Sequence, residues 1–159
     1  MNTGQSAGLT MCFAKVGLTA GTTTTYTTTV ATDFVIKGVF GTQFATKTNQ
    51  ATPTTDYVTG SAFTALAVSQ GSVYVFCTTS GGTVKVCGGS IEALDSADAF
   101  KVYPQLPVLP DDVCPIGYFV IKNGATGSAW TFGSSAWTST AAVDTTANIA
   151  IIPDRPVSA

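Results

Sequence analysis

Ser72-Val-Tyr-Val-Phe-Cys-Thr78, then Ser80-Gly81-Gly82, then Thr83-Val-Lys-Val-Cys87 is the stretch on which the fold turns. Two runs of β-branched and aromatic residues flank a glycine pair, the short-range signature of a β-hairpin. In the second run Val84 and Val86 point inward and Lys85 outward, the alternation of a half-buried strand. A two-residue Gly81-Gly82 turn places Ser80 opposite Thr83 and Cys77 opposite Val86. Cys87 then falls on the other face, so a Cys77–Cys87 disulfide requires a longer or bulged loop.

Strand signals continue on both sides. Downstream, Ile116-Gly-Tyr-Phe-Val-Ile-Lys122 is a near-continuous apolar strand ended by Asn123-Gly124, and 147–152 form a final strand closed by Pro153-Asp-Arg-Pro156. Upstream, 33–40 read as one core strand, 10–19 as a first strand and 62–68 as a strand. Residues 41–55 read as a long loop or weak hairpin, and 91–99 as one or two helical turns. The tract Thr22-Thr-Thr-Thr-Tyr-Thr-Thr-Thr-Val30 is stiffened toward extended backbone by β-branching. Only Tyr26 and Val30 in it are large and apolar, so it is expected at an edge, in a projecting arm, or against another subunit. Prolines 104, 107 and 110 repeat every third residue and mark an extended connector. That connector either separates two β subdomains or crosses over inside one sandwich.

The expected fold is all-β: an antiparallel β-sandwich or barrel-like domain with an extended Thr-rich N-terminal arm. Residues 1–32 form the arm or edge strand and 33–159 the β-domain, with the Pro-rich connector 103–115 inside it. Phe34, Val35, Ile36, Val73, Val75, Val84, Val86, Phe119 and Ile121 are its expected core.

Composition excludes several functions. The 159 residues carry 10% charged side chains, no His, one Glu (Glu92) and one Arg (Arg155), against 28 threonines and 16 glycines. About a quarter of residues are charged in an ordinary globular chain. Seven basic and nine acidic residues leave no basic footprint for nucleic acid. A His-based triad, a His-ligated zinc and a His-ligated haem are impossible. No run of 18 apolar residues suggests a membrane span, and the first residues lack the pattern of a signal peptide. Without a secretion signal, Cys12, Cys77, Cys87 and Cys114 are expected as buried thiols, and no C-x-x-C pair suggests zinc.

Each candidate site has a plainer alternative. Glu92, Asp95 and Asp98, three apart, hold Ca²⁺ if they share a helix face; otherwise they are solvated. Asp111-Asp112 follows a proline and fits a turn or cap. Ser80, Ser90 and Ser128 adjoin glycines but lack a nucleophile motif, and Cys114 lacks a base. Trp130, Phe132 and Trp137 stack on sugar rings if exposed, and pack a core or subunit interface if not. No catalytic, cofactor-binding or metal residue is therefore assigned. A surface so poor in charge, and edges without charged gatekeepers, suit contacts with copies of the same chain or with a large scaffold.

Several stretches carry a resemblance: the Thr-rich tract followed by Phe34-Val-Ile-Lys-Gly, Thr52-Pro-Thr-Thr-Asp-Tyr-Val-Thr-Gly-Ser-Ala-Phe-Thr-Ala-Leu, Leu109-Pro-Asp-Asp-Val-Cys-Pro-Ile-Gly-Tyr-Phe-Val-Ile-Lys-Asn-Gly and Ile152-Pro-Asp-Arg-Pro. Together, over residues 22–156, they resemble small tailed-bacteriophage virion structural proteins, especially head decoration (cement) or head-fibre proteins. None is a chemical motif. The resemblance implies a non-enzymatic homotrimer, made in the host bacterial cytoplasm and bound to the major capsid protein on the outer face of an icosahedral shell, where it bridges capsomers. It implies no cofactor, nucleic acid or membrane. Residues 1–30 and 103–115 are the expected intersubunit contacts. The alternative is a glycan-binding module of a phage fibre, with Trp130 and Trp137 as its platform.

Overall fold

The structure is a computed structural model and describes residues 9–125, 128–139 and 141–148. Its strands are β1 (Met11–Cys12), β2 (Thr19–Ala20), β3 (Thr25–Thr28), β4 (Phe34–Ile36), β5 (Val39–Phe40), β6 (Lys47–Ala51), β7 (Gln70–Thr79), β8 (Val84–Ala93), β9 (Val113–Asn123) and β10 (Ala141–Asn148). No helix occurs among the described residues. The long strands make one antiparallel sheet in the order β10-β9-β7-β8. Two small antiparallel sheets, β1-β4-β5 and β2-β3-β6, complete an all-β, sandwich-like domain.

Both faces of the long sheet are covered. One carries Tyr74, Phe76, Phe119 and Ile121 into a large core with Cys12, Leu18, Tyr26, Phe34, Trp130 and Phe132. The other carries Val73, Val75, Cys77, Cys87, Tyr118 and Val120 against Tyr57, Phe100, Leu106 and Leu109. Burial on both sides is why β7 and β9 read as continuous apolar runs. Of the nine expected core residues, seven are buried; Ile36 and Val84 are half-buried and pack against the larger core.

Two bulges set which residues face which core. Phe76 pairs with Gly117 but Cys77 with Pro115, so Ile116 is the extra residue on β9. Pro115 has no N–H to give a ladder, which favours an irregularity there. The slip turns Cys114 and Ile116 to the same core as Phe119 and Ile121. On β8, Ser72 pairs with Ile91 and Tyr74 with Gly88, leaving Gly89 and Ser90 opposite Val73. A Cβ on Gly89 would stand 2.2 Å from the Gln105 carbonyl oxygen, so only glycine lets the connector pass. Ser90 N donates to Gln105 O (3.1 Å) and Gln105 N to Ser90 Oγ (2.8 Å). Leu106 and Leu109 of the proline connector pack on the second core, so the connector lies along that face of the long sheet.

The hairpin register differs from expectation by one residue. Thr78 pairs with Val84, Cys77 with Lys85 and Phe76 with Val86. Thr79 N donates to Thr83 O, and Ser80-Gly81-Gly82 form a three-residue loop with Gly82 at φ +78°. This is the turn-plus-left-handed-residue geometry of longer hairpins. The extra residue brings Cys87 to the same face as Cys77, not the opposite one; both are free thiols.

Other expectations are corrected. Residues 33–40 are two strands folded about Lys37 (φ +52°) and Gly38 (φ +78°), with Ile36 paired to Val39. Residues 10–19 hold only β1 and the start of β2, and 62–68 contribute isolated bridges at Ala62 and Leu66 instead of a strand. Residues 91–99 are no helix: β8 runs to Ala93, and Asp95 then closes a turn by accepting from Ala97 N (2.8 Å) and Ala99 N (2.9 Å). Within 41–55, β6 pairs with β3. The Thr-rich N-terminal segment is not an extended, projecting arm over its described part, 9–32: β2 and β3 fold back on each other as an antiparallel pair. β3 is the middle strand of its sheet, and Tyr26 and Thr28 are buried. Residues 1–8 of that arm, and the final strand beyond Asn148 with its Pro153–Pro156 closure, lie outside the described residues.

Candidate interaction surface

The tight Lys37-Gly38 turn puts β5 at the edge of the β1-β4-β5 sheet, where its side chains meet solvent. Val39 and Phe40 are each 69% exposed, Leu9 55% and Phe13 53%. They are neighbours: the Phe13 and Phe40 rings lie 5.7 Å apart, and Gly38 N donates to Leu9 O (3.0 Å). An ion pair between Lys37 Nζ and Asp111 Oδ2 (2.7 Å) borders the cluster and ties it to the end of the connector. On the connector itself Val108 is 88% exposed, and Val102 and Tyr103 are also exposed. Covering one such side chain is worth about 1.5–3 kcal/mol, so a partner seated on this cluster gains appreciably.

The expected contact regions are therefore only partly on the surface. Leu9, Phe13, Val30, Tyr103 and Val108 are exposed, whereas Cys12, Val16, Leu18, Tyr26 and Cys114 are buried in the domain. Val39 and Phe40 belong to the stretch 33–40 read as one core strand; a turn at Lys37-Gly38 brings them to the surface. Gly38 was the available signal, since the turn needs positive φ there; Lys37, a residue that rarely takes positive φ, gave none.

The catalytic and metal candidates do not converge. Glu92 accepts from Ser90 Oγ (2.7 Å), while Asp95 caps its own turn. The backbone N–H groups of Ala99 and Ala97 hold the Asp95 carboxyl below its ordinary range. Among the described residues no three or more His, Cys, Asp or Glu side chains gather at a metal-binding distance. Asp111 pairs with Lys37, and Asp112 accepts from the Tyr57 hydroxyl at 2.6 Å, which pushes that phenol's pKa up. Ser80 sits in the hairpin loop, and the Ser128 carbonyl accepts from Asn123 Nδ2 (3.1 Å).

The aromatic candidates are core. Trp130 and Phe132 are fully buried and Trp137 nearly so, with the two indoles 5.7 Å apart and Phe132 stacked on Tyr74 at 4.3 Å. Trp130 Nε1 donates to Ala136 O (3.1 Å) and Trp137 Nε1 to Thr25 O (2.6 Å). Neither indole presents a platform to a sugar. A cleft of about 320 Å³ opens between Phe63, Thr64, Ser72 and Gly88, with Asp56 on its wall. That carboxylate accepts from Val58 N (3.0 Å), Gly88 N (3.3 Å) and Thr59 Oγ1 (3.2 Å), which makes it a loop anchor.

One pairing had no signal in the sequence. Cys12 Sγ lies 3.5 Å from Cys114 Sγ across 102 residues of chain, both side chains buried.

No protein-family model, curated protein or solved structure matched the chain.

Proposed function

We propose that this chain is a non-enzymatic virion structural protein that binds the outer surface of a bacteriophage capsid as a homotrimer and stabilises the shell by bridging capsomers. The observation that carries the proposal is the exposed cluster of Leu9, Phe13, Val39 and Phe40 at the β5 edge of its sheet. A contiguous apolar patch beside an edge strand marks a surface that a partner covers. The scarcity of charge and the resemblance of residues 22–156 to virion structural proteins support the same reading. Many modest contacts, repeated by symmetry around each capsomer junction, add up to a large effect on the shell.

The test compares particles that carry the protein with particles stripped or deleted of it, under heating and chelation. Decorated shells should survive conditions that rupture bare ones. Equal survival, with the protein absent from particles by electron microscopy, defeats the proposal.

A further inference from the structure

Four thiols are buried in this domain, and the fold sorts them into two pairs on opposite faces of the long sheet. Cys77 and Cys87 lie on adjacent strands; Cys12 and Cys114 join the N-terminal segment to β9. Cys12 stands on β1, a two-residue strand at the edge of its sheet, and its sulfur is also 3.5 Å from the Pro115 carbonyl oxygen. We propose that Cys12 and Cys114 are a disulfide-forming site, which a small-molecule disulfide oxidises to a covalent staple fastening the N-terminal segment to the central sheet. The inference does not rest on the virion reading.

The chemistry balances with a disulfide R–S–S–R, such as oxidised glutathione, as the oxidant. One thiol loses its proton and its thiolate attacks R–S–S–R, forming a mixed disulfide and releasing RS⁻, which takes up a proton. The second thiol then attacks the mixed disulfide, closing the Cys12–Cys114 bond and releasing a second RSH. Two cysteine hydrogens leave, the protein is oxidised by two electrons, and R–S–S–R is reduced to two RSH. The shared hydrogen bond makes the first ionisation of the pair easier: it holds Cys12 below the ordinary thiol range and pushes Cys114 far above it. Cys12, on the short edge strand β1, is the attacking thiol, and Cys114, on β9 inside the long sheet, the resolving one. Access comes from opening of β1, a two-residue strand paired with Phe34 and Val35 at the edge of its sheet. By contrast, burial raises the Cys77 thiol, and its strand is central.

The experiment incubates the full chain with oxidised glutathione, alkylates residual thiols, and maps non-reduced peptides by mass spectrometry. The expected product is a linked Cys12–Cys114 peptide pair, two hydrogens lighter than the separate peptides, with Cys77 and Cys87 alkylated only after unfolding. Cys77→Ser retains the link; Cys12→Ser and Cys114→Ser lose it. Mapping on the unsubstituted chain decides the matter even if a serine variant fails to fold. A Cys77–Cys87 link alone, a glutathione adduct that persists on Cys12, or four intact thiols under conditions that oxidise the urea-unfolded chain would each overturn the proposal.

Discussion

At the residue scale, Asn123 illustrates how a single buried polar group organises a loop. Its Nδ2 donates to the carbonyls of Leu66 (3.0 Å), Ala67 (3.2 Å) and Ser128 (3.1 Å), with no part of the side chain exposed. Asn123→Ala leaves those acceptors short of a donor, at a cost of about 1–3 kcal/mol for each buried group that water cannot reach. A loss of about 2–4 kcal/mol in urea unfolding is expected. Asn123→Asp should cost more at neutral pH, because it sets a charge against the same carbonyls. An unchanged midpoint for Asn123→Ala would show that water satisfies the site. Phe40 is the opposite case. Phe40→Asp should shift stability by no more than about 0.5 kcal/mol, as exposed positions do. In sedimentation, however, it should weaken self-association or shell binding at least tenfold. An unaltered association would remove this cluster as the contact surface.

At the element scale, the β7–β8 hairpin shows what pattern alone resolves. The two strands and their inward valines were legible because period-2 alternation reports the face directly. The register was not, because Ser80-Gly81-Gly82 satisfies a two-residue and a three-residue loop equally, and one residue inverts every facing. Gly82 at φ +78° needs glycine, whereas a Cβ on Gly81 would meet nothing within 4 Å. Gly82→Ala should therefore cost about 1 kcal/mol and Gly81→Ala almost nothing, read as the difference in thermal midpoint. Equal effects would place the left-handed residue elsewhere. The threonine tract was misjudged for a related reason. It carries little apolar surface of its own, but Trp137 reaches it from 112 residues away, its Nε1 donating to Thr25 O while Trp137 N donates to Thr23 O. Trp137→Phe removes the indole donor and should cost about 1–3 kcal/mol, with faster hydrogen exchange confined first to residues 23–28. Uniform loss of protection across the long sheet would contradict a local tether.

At the scale of the whole molecule, the same tyrosines that fill the core make it sensitive to alkali. Burial pushes the Tyr26 phenol up to about 12 and the Tyr74 phenol higher still. In the unfolded chain a tyrosine ionises near pH 10, so above that pH the unfolded state gives up protons that the folded state keeps. Their contribution is complete below pH about 10 and declines as pH rises toward 12, by about 1.4 kcal/mol per pH unit for each such group. The buried Cys77 thiol, also raised, acts in the same direction from pH about 9. The urea midpoint should hold steady from pH 7 to about 9 and then fall, with the fall above pH about 10 less steep in Tyr26→Phe. A midpoint that rises or stays level to pH 11 would mean that Tyr26 is solvated.

The amino-acid sequence determined by itself that the chain is all-β, that residues near 72–78 and 116–122 are strands, and that no histidine-based chemistry is open to it. Those properties are local: β-branching, alternation and the absence of a residue type need no partner to be read. Only the tertiary structure decided that Trp130 and Trp137 are core, that Val39 and Phe40 are surface, that the proline connector caps the second core, and that Cys12 meets Cys114. Each depends on which segment arrives from far along the chain to cover a side chain, and no periodicity within the segment records that arrival.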